Sequence, residues 1–295
     1  MHEDEVEIDE ALVTALVAEQ FPEWAGLPLR RVRSSGTDNA MFRLGGDLCV
    51  RLPRRPGVAG QVEKDMHWLP RLAPLLPLAL PEPLALGRPD AGYPFGWGVY
   101  RWLPGRESAF ELLADPVREA QALAAFLQAL RALDPADAPR PGSANFGRGT
   151  PLAPRDGAVR AAVAALAGDG ETDTAAALAS WRQSLAAAEH DGPPVWLHGD
   201  LLPGNLLVSD GRLSAVIDCA GLVAGDPAGD LLPAWSLLRG ASRTAFRAAL
   251  GVDEDAWLRG RGWALSIALI GLPYYRDTNP GFVRLCRGIL AEVLG

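Results

Sequence analysis

The stretch WLHGDLLPGNLLV, Trp196 to Val208, limits the fold more than any other part of the chain. It sets His198, Gly199, Asp200 and Asn205 among apolar residues. A carboxylate withdrawn from water is costly unless something pairs with it. The next residues supply the setting: a strand-like NLLV, an SDG turn, and a second strand-like run, RLSAVID, that ends on Asp218. A loop entering a strand at Asn205 presents Asp200 and Asn205 on one side, and Asp218 closes the partner strand. Three oxygen-bearing side chains at the mouth of one hairpin form a donor set suited to Mg²⁺ and phosphate oxygens. A lone Asp or Asn in a turn is usually a local backbone cap. Three at this spacing, followed by GDPAGDL, weigh against that simpler reading.

An aspartate, an asparagine five residues on and an aspartate after the next strand reproduce the spacing of a protein-kinase catalytic loop. HGDLLPGNLLV and VIDCAGLVAGDPAGDL together resemble the aminoglycoside phosphotransferase family, kinase relatives that phosphorylate small molecules. The resemblance extends over nearly the whole chain. It implies an α+β, two-lobed, protein-kinase-like fold, with a small N-terminal antiparallel-sheet lobe and a larger, mostly helical C-terminal lobe. It implies Asp200 as catalytic base, Asn205 and Asp218 as Mg²⁺ ligands, and His198, Asp226 and Asp230 as supports of the loops. DCA at 218–220 departs from the Asp-Phe-Gly of kinases, so a phenylalanine-driven inactive state is not expected.

The rest of the chain fits two parts. Asp9 can cap a helix over residues 9–21. Leu29 to Leu52 reads as three short strands, and GVAGQVEKDMHWL as a helix interrupted at Pro70. GWGVYRWL reads as a strand closed by Pro104-Gly105. Beyond it the pattern turns helical, apart from a Pro/Gly-rich loop over 135–157 and the hairpin already described. The expected division is residues 1–103, a nucleotide-binding lobe, and residues 104–295, a catalytic and substrate-binding lobe.

The nucleotide grip departs most from the kinase pattern. Ser35, Thr37 and Asn39 sit in SSGTDNAMFRL, where a phosphate loop is expected, but without its glycine pattern. The third strand, LCVRL, offers Arg51 where a lysine should stand. Lys64, the only lysine, sits in the helix beside the glutamate candidate and cannot easily take that role, so Arg51 is expected at the α- and β-phosphates, paired with Glu63. Arginine binds phosphate as a planar fork where lysine acts as a point charge. By position in the resemblance, the carbonyl of Arg101 and the N–H of Leu103 would meet the nucleotide base. For the acceptor, Glu189, Asp226, Tyr274 and Tyr275 are candidates, on weaker grounds.

The expected reaction is transfer of the γ-phosphoryl group of ATP or GTP to a hydroxyl of a small molecule, in first place an aminoglycoside-type antibiotic. A macrolide or a hydroxylated metabolite are the alternatives, and a nucleotide-binding pseudokinase or a metal-dependent hydrolase the readings of another class. The expected partners are therefore a nucleoside triphosphate and a hydroxylated acceptor, cationic in the aminoglycoside case. A formal charge of −8 argues against nucleic acid. The first ten residues carry six acids and no apolar run, so no secretory signal is expected. ALSIALIGL is too short to span a membrane. Three scattered cysteines suggest a reducing cytoplasm, and a monomer or weak dimer is expected.

Overall fold

A computed structural model describes residues 5–32, 38–168, 170 and 172–295. The chain forms two compact units, Met1–Gly105 with Ala215–Ala220, and Arg106–Ser214 with Gly221–Gly295.

The first unit contains α1 (Glu10–Gln20), β1 (Leu29–Arg31), β2 (Asn39–Leu44), β3 (Leu48–Pro53), α2 (Gln61–Leu72), β4 (Pro83–Gly87) and β5 (Trp97–Arg101). Asp9 caps α1 by accepting from the Leu12 N–H at 2.8 Å. The strands form one antiparallel sheet in the order β1-β2-β3-β5-β4. Strand period two divides β3 between two environments. Val50 and Leu52 join Phe42, Leu44, Trp97 and Val99 in a core closed by Val13, Leu16 and Val17 of α1. Cys49 and Arg51 point to the other face, where Arg51 meets α2. Gly98 allows that close packing: a Cβ there would lie 2.6 Å from the Tyr100 ring and 2.9 Å from Val62 of α2.

The expected interruption of α2 at Pro70 does not occur, and the helix runs on to Leu72. Pro70 is exposed and two residues from the helix end. Its missing N–H therefore removes one bond at a wet site rather than breaking the core of the helix.

The second unit contains β6 (Arg106–Glu107), α3 (Pro116–Arg131), α4 (Asp156–Leu166), α5 (Thr174–Ala186), β7 (Val195–Leu197), β8 (Leu206–Ser209), most of β9 (Arg212–Val216), β10 (Val223–Gly225), α6 (Pro233–Ser236), α7 (Gly240–Leu250), α8 (Glu254–Tyr275) and α9 (Pro280–Leu294). β6, β8 and β9 make one small sheet, and β7 pairs with β10 in another. Asp210 and Gly211, at φ 50° and 77°, turn β8 into β9. Two positive φ values in a two-residue loop match the twist of the flanking strands. The 22-residue α8 is the buried axis, packed on by α4, α5 and α9. Asp253 opens it as a side-chain cap, accepting from the Ala256 N–H at 2.7 Å. Among the described residues no helix is long and apolar enough to cross a membrane.

Candidate active site

The carboxylate of Asp200 lies in the second unit, in the loop that leaves β7. Asp230 anchors that loop. Fully buried, it accepts from the N–H of His198 at 2.8 Å and of Gly199 at 2.7 Å. Burial raises the Asp230 carboxyl above its ordinary value, opposed by His198, the Gly199 N–H and Arg131. Gly199 adopts φ 82°, and a Cβ there would lie 2.7 Å from the carbonyl oxygen of Gly221. No L side chain fits that conformation and that gap together. The loop thus lies backbone to backbone on the segment that enters β10.

Asp200 emerges from this base with both carboxylate oxygens engaged. Oδ1 accepts from Nη2 of Arg148 at 2.8 Å. Oδ2 accepts from Nδ2 of Asn205 at 3.0 Å, and the same nitrogen donates to the Asp200 carbonyl at 2.8 Å. The Asp200 N–H donates to Nδ1 of His198 at 3.3 Å. The His198 ring is buried, so within the loop it is a hydrogen-bond brace. Asp226 turns away from the loop. It caps the Ala228 N–H at 3.0 Å and pairs with Nε of Arg259 at 2.8 Å.

Arg148 was not legible as a site residue. It sits 52 positions before its partner, in the segment that reads as a plain Pro/Gly-rich loop. Its neighbours Gly147 and Gly149 both take positive φ, 65° and 77°. Its guanidinium carbon lies 5.6 Å above the Trp263 ring of α8. A GRG tripeptide is the only local signal, and it specifies a turn rather than a partner.

The first unit holds a second polar centre, built on Arg51. Its Nη1 donates to Asp65 at 2.8 Å, and its Nη2 to Gln61 at 3.0 Å and to Asp218 at 3.1 Å. With its amide oxygen turned to the guanidinium, Asn39 accepts from Arg51 Nη2 at 3.0 Å and from Nε at 3.2 Å. Tyr100 donates to Asp65 at 3.0 Å. Burial alone would lower the Arg51 pKa, but Asp65 and then Asp218 outweigh it and the guanidinium stays charged. Burial raises the Asp65 carboxyl, opposed by Arg51 and the Tyr100 hydroxyl.

The expected Arg51–Glu63 pair is therefore replaced by an Arg51–Asp65 pair. Successive helical residues are about 100° apart, so Glu63 and Asp65 face opposite ways while Gln61 and Asp65 share a face. Glu63 is exposed, and its Oε1 would lie 2.5 Å from a Cβ built on Gly96. Lys64 bonds instead to the carbonyl oxygen of Ala220 at 2.8 Å. Burial lowers its pKa to about 8, against the pull of the Asp65 carboxylate. Asp218 holds φ 58° and keeps 39 % of its side chain exposed. The next residue, Cys219, is buried, and burial pushes its thiol well up, so it stays neutral.

The remaining candidates are dispersed. Ser35 and Thr37 lie outside the described residues. Arg101 ends β5, its N–H donating to Glu82 O at 2.9 Å, while the Trp102 N–H bonds Asp47 O at 2.7 Å. The N–H of Leu103, one step on, makes no hydrogen bond among the described residues. Glu189 and Asp226 line one cavity of about 180 Å³ in the second unit, with Ser184, His190 and Arg259. Tyr274 and Tyr275 end α8 away from that cavity; Tyr274 is exposed and Tyr275 packs on Phe282 at 4.9 Å.

The donor chemistry suits a hard divalent cation. Asn205 uses its amide nitrogen on Asp200, which leaves its carbonyl oxygen free among the described residues. Asp218 gives one oxygen to Arg51 and keeps the other. An amide oxygen and a carboxylate oxygen are ligands of the Mg²⁺ type. Among the described residues no group of three or more His, Cys, Asp or Glu could hold a metal ion.

An antiparallel five-stranded sheet with a buried cation on its third strand, and a helical unit with an Asp-x₄-Asn loop, define a protein of the kinase-like phosphotransferase class. The model of the phosphotransferase enzyme family matches residues 30–263, and the chain belongs to that family. Among solved structures it is similar to the GDP complex of wild-type aminoglycoside 2′-phosphotransferase-IIIa, with TM-score 0.73, 20 % identity, and coverage of 97 % of this chain and 99 % of that one. It is also similar to the streptomycin–ATP–APH(2″)-IIa ternary complex, with TM-score 0.61, 15 % identity, and coverage of 97 % and 99 %. The apoenzyme of macrolide 2′-phosphotransferase MphH from Brachybacterium faecium aligns with TM-score 0.57, 26 % identity, and coverage of 94 % and 97 %. No curated protein matches the chain in sequence.

Proposed function

We propose that this phosphotransferase moves the γ-phosphoryl group of ATP or GTP to a hydroxyl of a small-molecule antibiotic, in first place of the aminoglycoside type. The observation that carries this reading is the Asp200 carboxylate, held at one oxygen by Arg148 and at the other by Asn205. A carboxylate fixed in this way can accept the proton of an acceptor hydroxyl on a remaining lone pair. The hydroxyl oxygen then attacks the γ-phosphorus, and the bridging oxygen leaves with the nucleoside diphosphate. Arg148 orients the Asp200 carboxylate for this exchange. Mg²⁺, when held by the free oxygens of Asn205 and Asp218, supplies charge neutralisation of the triphosphate. Arg51 carries positive charge in the unit expected to bind the nucleotide, and the Leu103 N–H, which has no hydrogen-bond partner among the described residues, would be a donor for its base.

One observation favours a second reading, a macrolide or another weakly charged acceptor. The acids available for an amine-rich acceptor are largely engaged within the chain. Asp226 pairs with Arg259 and Asp230 with backbone N–H groups. The similarity of named structures to aminoglycoside and macrolide enzymes supports both readings.

The test is a mass-shift screen of aminoglycosides, macrolides and hydroxylated metabolites with ATP and with GTP, in Mg²⁺. One phosphorylated acceptor, lost in Asp200→Asn, is the expected outcome. Tight nucleotide binding without transfer to any acceptor or to water would instead make the protein a pseudokinase.

A further inference from the structure

The chain carries 28 lysine and arginine residues, and Lys64 is its only lysine. A chain that uses arginine at every other basic position keeps a compact ammonium at this one. Lys64 stands on α2 between Glu63 and Asp65, half-buried, and its Nζ donates to the Ala220 carbonyl at 2.8 Å. Ala220 is two residues beyond Asp218. Asp218 holds a left-handed backbone, φ 58°, that a residue with a Cβ adopts only under restraint. Two restraints reach this turn. Arg51, itself held by Gln61 and Asp65 of α2, bonds the Asp218 carboxylate. Lys64, from the same helix, bonds the backbone at the far end of the turn. The first orients a side chain; the second fixes the chain that carries it.

We propose that Lys64 is a positioning residue for Asp218, pinning the 218–220 turn to α2 so that the free Asp218 oxygen is presented to the divalent cation of the nucleotide. This rests on the phosphotransferase reading above. A single carbonyl acceptor in a half-buried slot suits a point donor; the larger planar guanidinium cannot make the same contact without moving the turn. Lys64 does not touch nucleotide or acceptor in this role. Its loss changes the cation requirement and not the intrinsic grip on the nucleotide.

The experiment measures binding of a fluorescent ATP or GTP analogue at a series of Mg²⁺ concentrations, for the wild type, K64M and K64R. Loss of a charged hydrogen bond predicts that K64M needs about tenfold more Mg²⁺ for half-maximal binding, with metal-free nucleotide affinity unchanged within about twofold. K64R falls between the two. An unchanged Mg²⁺ requirement in K64M, or an equal loss with and without Mg²⁺, overturns the proposal. Should K64M fold poorly, acetylation of the wild type gives an independent readout. Peptide mass spectrometry then reports one lysine, and Mg²⁺ plus nucleotide should slow its modification about tenfold relative to nucleotide alone. Equal rates with and without Mg²⁺ overturn the proposal as well. A wild type that binds no nucleotide at all overturns the phosphotransferase reading itself, and this inference with it.

Discussion

Two arginine–aspartate centres, one in each unit, solve the same electrostatic problem in different ways. In the first unit Arg51 is almost fully buried and meets Asp65, Gln61, Asp218 and Asn39. In the second, Arg148 and Asp200 keep 13 % and 27 % of their side chains exposed. Asp200 is tied into its own loop by Asn205. A buried cation must be surrounded by acceptors or it destabilises the fold. A carboxylate that is to take a proton must stay reachable. The first centre is therefore built for integrity and the second for access. Removing either arginine should separate the two purposes.

The largest effect is expected at the accessible centre and should appear in catalysis. Asp200→Asn should lower kcat by ~10²–10⁴, the range for loss of a general base. Nucleotide affinity should stay near wild type and stability should fall by about 1 kcal/mol or less, because the amide oxygen can still accept from Arg148 and only the partly wet contact with Asn205 Nδ2 is lost. Steady-state kinetics beside a nucleotide titration checks this. A parallel loss of affinity would show that Asp200 holds the nucleotide and that the access argument fails.

Arg51→Ala should do the reverse. It leaves Asp65 buried with Tyr100 as its remaining partner, and Asp65 Oδ1 already lacks a hydrogen-bond partner among the described residues. Breaking a buried pair at one end costs about 3–5 kcal/mol. Arg148→Ala, at a partly wet pair, should cost about 1 kcal/mol or less while lowering kcat. Urea unfolding of both variants measures the contrast. Equal destabilisation would remove the distinction between the two centres.

Gly199→Ala tests how far the second centre depends on its backbone. The left-handed φ alone disfavours alanine by about 1–2 kcal/mol, and the added Cβ would press on the Gly221 carbonyl, 2.7 Å away. Stability should fall by at least that amount and kcat with it, because the Asp230 anchor on the adjacent N–H groups must move. Wild-type activity in this variant would mean that the loop tolerates displacement of Asp200.

The two centres also differed in what the sequence disclosed. Asp200 and Asn205 were legible because their relation is local: five residues and one loop fix the hydrogen bond. The division into a strand-rich first part and a mostly helical remainder was legible from the residue pattern, and its kinase-like character from the resemblance carried by the motifs between His198 and Asp230. Arg51 was legible as the cation on the third strand, but its partner was misread. Glu63 is two positions from Asp65, and only the rotation of α2 relative to β3 decides which carboxylate faces in. Arg148 was hidden altogether, since a contact across 52 residues leaves no spacing to read. The run of α2 through Pro70 was missed because a proline two residues from the end of a helix costs little of the remaining hydrogen-bond ladder, and the sequence does not show where the helix stops. Asp226, offered as an acceptor contact, turned out to be engaged by Arg259 of α8, a distance no motif spans.

The smallest effect is expected where the misreading occurred, and it is the sharpest check on the first centre. Glu63 is exposed and takes no part in the Arg51 network, so Glu63→Gln should change stability by no more than about 0.5 kcal/mol, as for surface substitutions generally. Nucleotide affinity should not move. Asp65→Asn supplies the control in the same helix. It removes the charge that faces Arg51 and leaves Asp218 as its one carboxylate partner, so it should weaken the fold well beyond the Glu63 variant. The two measurements differ only in which side of α2 loses a carboxylate. If Glu63→Gln proved the more damaging, the rotation of α2 in solution would be the one first read from sequence, with Glu63 facing in and the buried hub re-formed around it.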